Sequence, residues 1–322
     1  MTRDQRPYLY SLNGIFLLDK PIGISSNGAL QRVKRLFQAI QRSASASAHE
    51  KARKATIKAG HTGSLDPLAT GLLPICFGDA TKFCQYLLDS DKSYEVTMKL
   101  GVRTNTSDAE GEVISMRAVP TFSIEEMDVA FNNFRGDIQQ IPSMFSALKH
   151  NGKPLYEYAR QGITIERPSR PITIYDITVL SVEADLVSFT VKCSKGTYVR
   201  TIVDDIGEQL NCGAHVTALR RLSVGPYHAS QMMTIEKLES LIAEENFSAK
   251  NILLPVDSAV HHWPAVSLSS EHVFALKQGK SVTLPEESTS GWMRFIDHNG
   301  EFFGVGEVLP DGKVAPRRLV AY

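Results

Sequence analysis

The sequence predicts an α+β protein: a large domain of interspersed helices and strands, then a small, mostly β module. Three observations carry this reading. Residues 94–100, Tyr-Glu-Val-Thr-Met-Lys-Leu, alternate apolar and polar side chains, the period of a half-buried strand. Residues 26–40, 124–134 and 201–210 instead repeat their apolar positions at helical spacing. Beyond about residue 251 short apolar runs are separated by His298-Asn299-Gly300 and Pro310-Asp311-Gly312, the turn chemistry of hairpins. A length of 322 residues suits about two domains, and 43% hydrophobic content suffices for their cores. We therefore expect a first domain over residues 1–250 and a second over 251–322.

Taken in order, residues 14–18 read as a buried strand entered through Asn13-Gly14. Lys20-Pro21-Ile22-Gly23 turns the chain, and Ser25 or Ser26 caps the helix that runs to about residue 40. Residues 41–58 contain the tract Ser43-Ala44-Ser45-Ala46-Ser47-Ala48, low in complexity and basic, which predicts a mobile excursion. Residues 103–111 are a polar loop. Residues 136–171 mix Pro, Gly, Lys, Arg and Tyr with one helical piece at 155–161, an ordered but movable loop long enough to carry a function. Residues 172–180 and 186–192 are strands. In the final module a helix over 271–277 ends at Gly279, and strands over 292–297, 301–308 and 314–320 follow. No internal repeat is visible.

Lysine plus arginine and aspartate plus glutamate both total 35, which argues against a uniformly basic coat but not against local basic surfaces. Such a surface is predicted over residues 31–58, where Arg32, Lys34, Arg35, Arg42, Lys51, Arg53, Lys54 and Lys58 face only Glu50. Residues 236–245 are acid-rich in compensation. Cys76, Cys84, Cys193 and Cys212 lack CxxC spacing and neighbouring histidine pairs, so no zinc site is expected and the thiols read as reduced. No signal-peptide pattern and no run near the ~20 apolar residues of a membrane span is present, which predicts a soluble cytoplasmic protein.

The segment Gly60-His61-Thr62-Gly63-Ser64-Leu65-Asp66-Pro67-Leu68-Ala69-Thr70-Gly71 is the most informative. Three glycines suggest a loop shaped around something, and Asp66 is its only acid. Two readings compete: Asp before Pro is also a common helix start, with aspartate as cap. A Ser64–His61–Asp66 triad fails, because triads gather from distant parts of a fold and no nucleophile elbow is present. A metal site at His61 and Asp66 lacks further ligands. Lys20-Pro21-Ile22-Gly23-Ile24-Ser25-Ser26 lacks the glycine spacing of a phosphate loop, so a structural corner with Lys20 as a phosphate contact is the reading it allows. In Cys193-Ser194-Lys195-Gly196-Thr197-Tyr198-Val199-Arg200-Thr201, an extended chain puts Tyr198 and Arg200 on one face. An aromatic plate beside a cation suits a flat base and a carboxylate, although an ordinary strand face has the same pattern.

These motifs, with Arg-Gly-Asp-Ile-Gln-Gln-Ile-Pro-Ser-Met-Phe-Ser-Ala-Leu-Lys from Arg135 and Gly-Ala-His-Val-Thr-Ala-Leu-Arg-Arg from Gly213, resemble the TruB family of tRNA pseudouridine synthases. The likeness runs from residue 12 to about 230 in the family's order and continues more weakly to the end. It implies a pseudouridine synthase fold with a central mixed, largely antiparallel sheet and a PUA-like C-terminal domain. It further implies isomerisation of uridine 55 in the tRNA T loop, without a cofactor, on the T-arm stem-loop as partner. By position Asp66 matches the catalytic aspartate, Tyr94 the tyrosine stacked on the target base and Arg200 the arginine paired with the aspartate. Tyr198 and Leu219 line the same pocket, His61 enters the RNA stack the flipped nucleotide leaves, and Lys20 belongs to the structural lysine-proline motif. The departure from the family is residues 41–58, longer than its usual link.

The residue types suit that chemistry. The uridine must be extruded at a cost of a few kcal/mol, which an inserted His61 offsets. Stacking on Tyr94, ~1–3 kcal/mol per base, holds a base that is temporarily detached. Asp66 must be ionised to act as nucleophile, and Arg200 favours that form and steadies the detached uracilate. Residues 31–58 and 136–170 are expected to grip RNA backbone. No obligatory protein partner, membrane or metal is implied, and a monomer is expected. A non-catalytic T-arm-binding or tRNA-folding protein would use the same basic surfaces without needing Asp66, and a guide-RNA-dependent synthase subunit is related chemistry with other partners.

Overall fold

The computed structural model describes residues 12–44, 57–244, 247–284 and 291–321, so most of the excursion expected at residues 41–58 lies outside the described residues. β1 (Gly14–Lys20) is buried almost throughout, as its unbroken apolar start requires, and α1 (Ser26–Ala44) follows the lysine-proline turn. Ser25 is the cap of α1, its hydroxyl accepting from the Gly28 amide at 3.1 Å. β2 (Ala59–His61) and β3 (Thr70–Phe77) flank the glycine-punctuated segment. α2 (Cys84–Leu88) leads to β4 (Lys92–Leu100), whose alternating burial follows its alternating sequence.

The polar loop at 103–111 is closed by a ribbon of β5 (Val102–Thr104) and β6 (Val113–Met116). α3 (Ile124–Phe131) starts at a capping box formed by Ser123 and Glu126. The segment read as one loop over 136–171 holds β7 (Gly136–Gln140), the ribbon of β8 (Lys149–His150) with β9 (Lys153–Pro154), and α4 (Leu155–Ala159). A long hairpin of β10 (Arg170–Glu183) and β11 (Leu186–Cys193) follows. Then come α5 (Val199–Gln209), β12 (Ala214–Val224), β13 (Tyr227–His228) and α6 (Ile235–Ile242). The C-terminal module comprises β14 (Ala265–Ser267), α7 (Ser270–Lys277), β15 (Trp292–Ile296), β16 (Phe302–Val308) and β17 (Val314–Leu319).

The main sheet runs β1-β3-β12-β4-β11-β10-β7, with β2 on β3 and β13 on β12. Within this sheet the strand pairings among the described residues are antiparallel except β3 with β12, which meet in parallel over Thr70–Arg220 and Gly71–Arg221. The sheet is thus mixed and largely antiparallel, as expected. On one face α3 and α5 bury Met127, Phe131, Ile202, Val203 and Ile206 against β4, β10 and β11. On the other α1 and α6 bury Leu30, Val33, Phe37 and Leu238, and Phe37 packs edge-on between Phe16 and Phe77. The small second sheet, β14-β15-β16-β17, is not detached. Phe302, Val305 and Val320 share one cluster with Phe83, Leu87 and Tyr227 of the large domain, and Trp263 stacks on Trp292 beside Tyr86.

Candidate active site

The site forms beside the short parallel junction of β3 and β12. The loop of residues 62–69 enters β3 there, while the start of α5 and the edges of β4 and β12 close the other sides. Together they enclose a cavity of about 330 Å³ whose lining includes Asp66, Tyr94, Tyr198, Arg200, Leu219 and Arg221. Five of the seven side chains singled out from the sequence are therefore brought together. His61 and Lys20 lie outside that lining.

The loop is held from below by the first helix. The buried Ser26 hydroxyl accepts from the Leu65 amide at 2.6 Å and lies 3.0 Å from its carbonyl. The Gly23 amide and the Lys20 ammonium both donate to the Pro67 carbonyl, at 2.8 and 3.4 Å. Lys20 is fully buried and also donates to the carbonyls of Pro21 and Ile24. Burial pushes its ammonium down to about 8, against the pull of Asp66. Lys20 thus has no face for an RNA phosphate, and the phosphate-contact expectation is corrected: its donors are spent on the turn and on the loop that carries Asp66.

The helix start considered for Asp66-Pro67 does not form. The Ala69 amide closes one turn onto the Asp66 carbonyl at 3.1 Å, and the chain passes straight into β3. Only two of the three glycines are needed as glycine. Gly63 has φ +105°, and Gly71 has φ +96° with the Arg221 carbonyl oxygen 2.4 Å from where a Cβ would sit. Gly60 is ordinary strand.

Asp66 points across the cavity to Arg200, 2.9 Å from carboxylate Oδ2 to Nε. The Arg200 side chain is only 7% exposed while that of Asp66 is 43% exposed, so the carboxylate is tethered yet open to a ligand. The other two guanidinium nitrogens donate to the carbonyls of Thr106 and Phe145, each at 2.8 Å. A second carboxylate, Asp108, stands 3.6 Å from Arg200 Nε and is itself buried, with Thr106 and the Glu110 amide as donors. Tyr198 precedes α5 and Arg200 lies in its first turn, so the extended-strand reading of 197–201 is corrected. The two side chains share the cavity because a helix has just begun. The buried Gln140 side chain fixes that point, donating to the Tyr198 carbonyl at 3.1 Å and accepting from its amide at 2.9 Å.

Tyr94 is 9% exposed, and burial raises its phenol as it does that of Tyr198, so both stay neutral hydrogen-bonding aromatics at physiological pH. His61, half-buried on β2, is pushed down by burial and by the Arg221 charge, and among the described residues its buried Nδ1 has no hydrogen-bond partner. A neutral flat ring next to the cavity fits a stacking role better than a charged contact. Among the described residues no group of three or more His, Cys, Asp and Glu side chains gathers as a metal site, and no helix is long and apolar enough to cross a membrane. Nothing in the sequence singles out Asp108, Gln140 or Arg221 for the site, and Ser26 reads there only as a candidate helix cap. Asp108 lay in a segment read only as polar loop, and Arg221 closed a quoted motif without a partner in sight.

Basic side chains are exposed on the 136–171 segment at Lys149, Lys153, Arg160 and Arg170. The basic run over 31–58 is less free than its composition suggests: the acid-rich segment folds back, and Arg32 pairs with Glu239 at 3.0 Å and Glu236 at 3.9 Å.

Comparison with known proteins places this geometry. Residues 50–199 match the TruB family pseudouridylate synthase N-terminal domain, residues 200–261 the tRNA pseudouridylate synthase B C-terminal domain, and residues 264–320 the pseudouridine synthase II TruB C-terminal domain. The chain belongs to the TruB family of pseudouridylate synthases. It is 49% identical over 323 residues to tRNA pseudouridine synthase B of Coxiella burnetii (strain Dugway 5J108-111), covering 99% of each chain. It is 52% identical over 313 residues to the enzyme of that name from Actinobacillus pleuropneumoniae, covering 96% of each. In fold it is similar to the chain of a Cbf5-Nop10-Gar1 complex, with TM-score 0.70, 24% identity and coverage of 98% of this chain and 87% of that one. A chain of an H/ACA RNP bound to a substrate RNA containing 2'-deoxyuridine gives TM-score 0.69 at 23% identity, covering 99% and 88%.

Proposed function

We propose that this protein isomerises uridine 55 in the T loop of tRNA to pseudouridine, with Asp66 as nucleophile. The observation that carries the reading is the Asp66–Arg200 pair at 2.9 Å, buried on the arginine side and open on the aspartate side of a cavity of about 330 Å³. Breaking the C1′–N1 bond, turning the base and joining C1′ to C5 neither oxidises nor loses anything, so the reaction needs no cofactor. The uridine is flipped from its stack into the cavity, where Tyr94 stacks on it and Tyr198 and Leu219 line its walls. His61 fills the vacated stack from outside the bond-making chemistry. Lys20 acts on the loop that carries Asp66.

In this reading residues 1–250 do the chemistry, and residues 251–322 form a PUA-like RNA-binding unit. The 136–171 segment grips the T arm, tied to the site by the Phe145 carbonyl on Arg200. The protein works in the cytoplasm as a monomer without an obligatory protein partner. If about four exposed cations neutralise phosphates, affinity for tRNA falls ~100-fold as salt rises from about 50 to about 200 mM. The test is incubation of the purified protein alone with an unmodified T-arm stem-loop. Pseudouridine at position 55 alone is expected; binding without any conversion would favour a T-arm-binding protein and overturn the catalytic reading.

A further inference from the structure

The charges around the cavity do not balance at the Asp66 end. Asp66 and Asp108 set two carboxylates against the single guanidinium of Arg200. The Arg200 nitrogens are already engaged by these carboxylates and by the carbonyls of Thr106 and Phe145. A base that departs with the bonding electrons is an anion, and this end of the cavity is poorly placed to receive it.

The opposite wall is different. Arg221 is 1% exposed and, among the described residues, no carboxylate pairs with it. Nε donates to the Leu72 carbonyl at 2.7 Å and one terminal nitrogen to the Gly63 carbonyl at 3.2 Å, which leaves guanidinium donors over. Arg221 stands directly opposite Tyr94 across the β12–β4 ladder, within hydrogen-bonding reach of its phenol, and both line the cavity. The neighbouring cation Lys92 spends its ammonium on the carbonyls of Leu87, Leu88 and Ser90. A buried cation without a counter-ion is costly and persists where a ligand's charge completes it.

We propose that Arg221, acting through the Tyr94 hydroxyl and across the cavity, holds the negative charge that the uracil ring acquires when its C1′–N1 bond breaks, a role that Arg200 is too heavily paired to fill. The pair of electrons leaves with N1 and returns through C5 to C1′, and the proton on C5 is lost as N1 gains one, so the sum is an isomerisation. Arg221 is thus a positioning residue for Tyr94 and the electrostatic partner of the detached base.

This rests on the proposed reaction, which the unmutated protein tests in the same assay: no conversion by it removes that reading. Single-turnover consumption of the N-linked nucleoside is measured on T-arm stem-loops carrying uridine or 5-fluorouridine at the target, since fluorine at C5 makes the ring a better leaving anion. Arg221→Gln is expected to lose ~100-fold on uridine but only ~10-fold on 5-fluorouridine, with RNA binding unchanged. Equal losses on both substrates, or a loss confined to RNA binding, would overturn the inference. Arg221→Lys, which keeps the charge without the fork, is expected to lose ~10-fold on uridine. In the unmutated protein the two substrates should react within ~10-fold of each other. A much stronger preference for the fluorinated one would overturn the inference even if neither variant folds.

Discussion

Replacing Ser26 by alanine removes one buried hydroxyl and leaves both backbone groups of Leu65 without their partner. Leu65 is itself 5% exposed, so water does not readily replace the lost bonds. Each orphaned buried polar group costs ~1–3 kcal/mol, which sets the expected loss of stability for the two at ~2–6 kcal/mol. The same bond positions the residue before Asp66, and a shift of ~1 Å in a reacting group costs up to ~100-fold in rate. Ser25→Ala is the matched control. It removes only an exposed helix cap, for about 1 kcal/mol and no change in rate. Urea unfolding and single-turnover conversion at saturating RNA measure both variants. Equal stability losses for the two serines, with an unchanged rate for Ser26→Ala, would refute the idea that the first helix holds the Asp66 loop in place.

Three further outcomes follow from the same geometry. Asp108→Asn removes one of the two carboxylates at Arg200 and should lower single-turnover conversion ~10-fold or more while leaving RNA affinity unchanged, as read by filter binding. Gly71→Ala sets a Cβ 2.4 Å from the Arg221 carbonyl oxygen at a positive φ, and should cost ~3 kcal/mol or more in a denaturant melt. His61 is held below the free value of 6.5, so the unfolded chain binds the extra proton first, and stability should fall as pH drops below 6.5. His61→Phe should flatten that acid limb of the stability curve; an unchanged limb would place its cause elsewhere.

Elements whose side chains repeat with a clear period were legible in the sequence. β4 shows its alternation, and α3 its helical spacing. β7 was not, because Gly-Asp-Ile-Gln-Gln is a mostly exposed edge strand that joins the sheet through β10 and lacks an apolar face. The start of α5 was misread because Tyr198 and Arg200 sit at strand spacing, whereas Gln140 holds the backbone at the point where the helix begins. The choice between Ser25 and Ser26 as cap was likewise open to a local reading. Only the fold shows that one caps α1 while the other reaches Leu65 in the loop that carries Asp66.

The site divides in the same way. The Asp66–Arg200 pair was expected from the resemblance, and the structure brings the two within 2.9 Å. Asp108 and Arg221 escaped because nothing near them in sequence needs them. Asp108 matters only once β5 and β6 fold its loop over Arg200, and Arg221 only once β12 lies between β3 and β4. Lys20 was placed in the right motif but offered a surface it does not have.

In the proposed reaction the Asp66 carboxylate makes the bond that lets the base detach. Asp66→Asn keeps the side chain's size and removes its charge. Assayed on an unmodified T-arm stem-loop, this variant should fold and bind RNA like the unmutated protein and form no pseudouridine. Normal turnover by it would contradict the account.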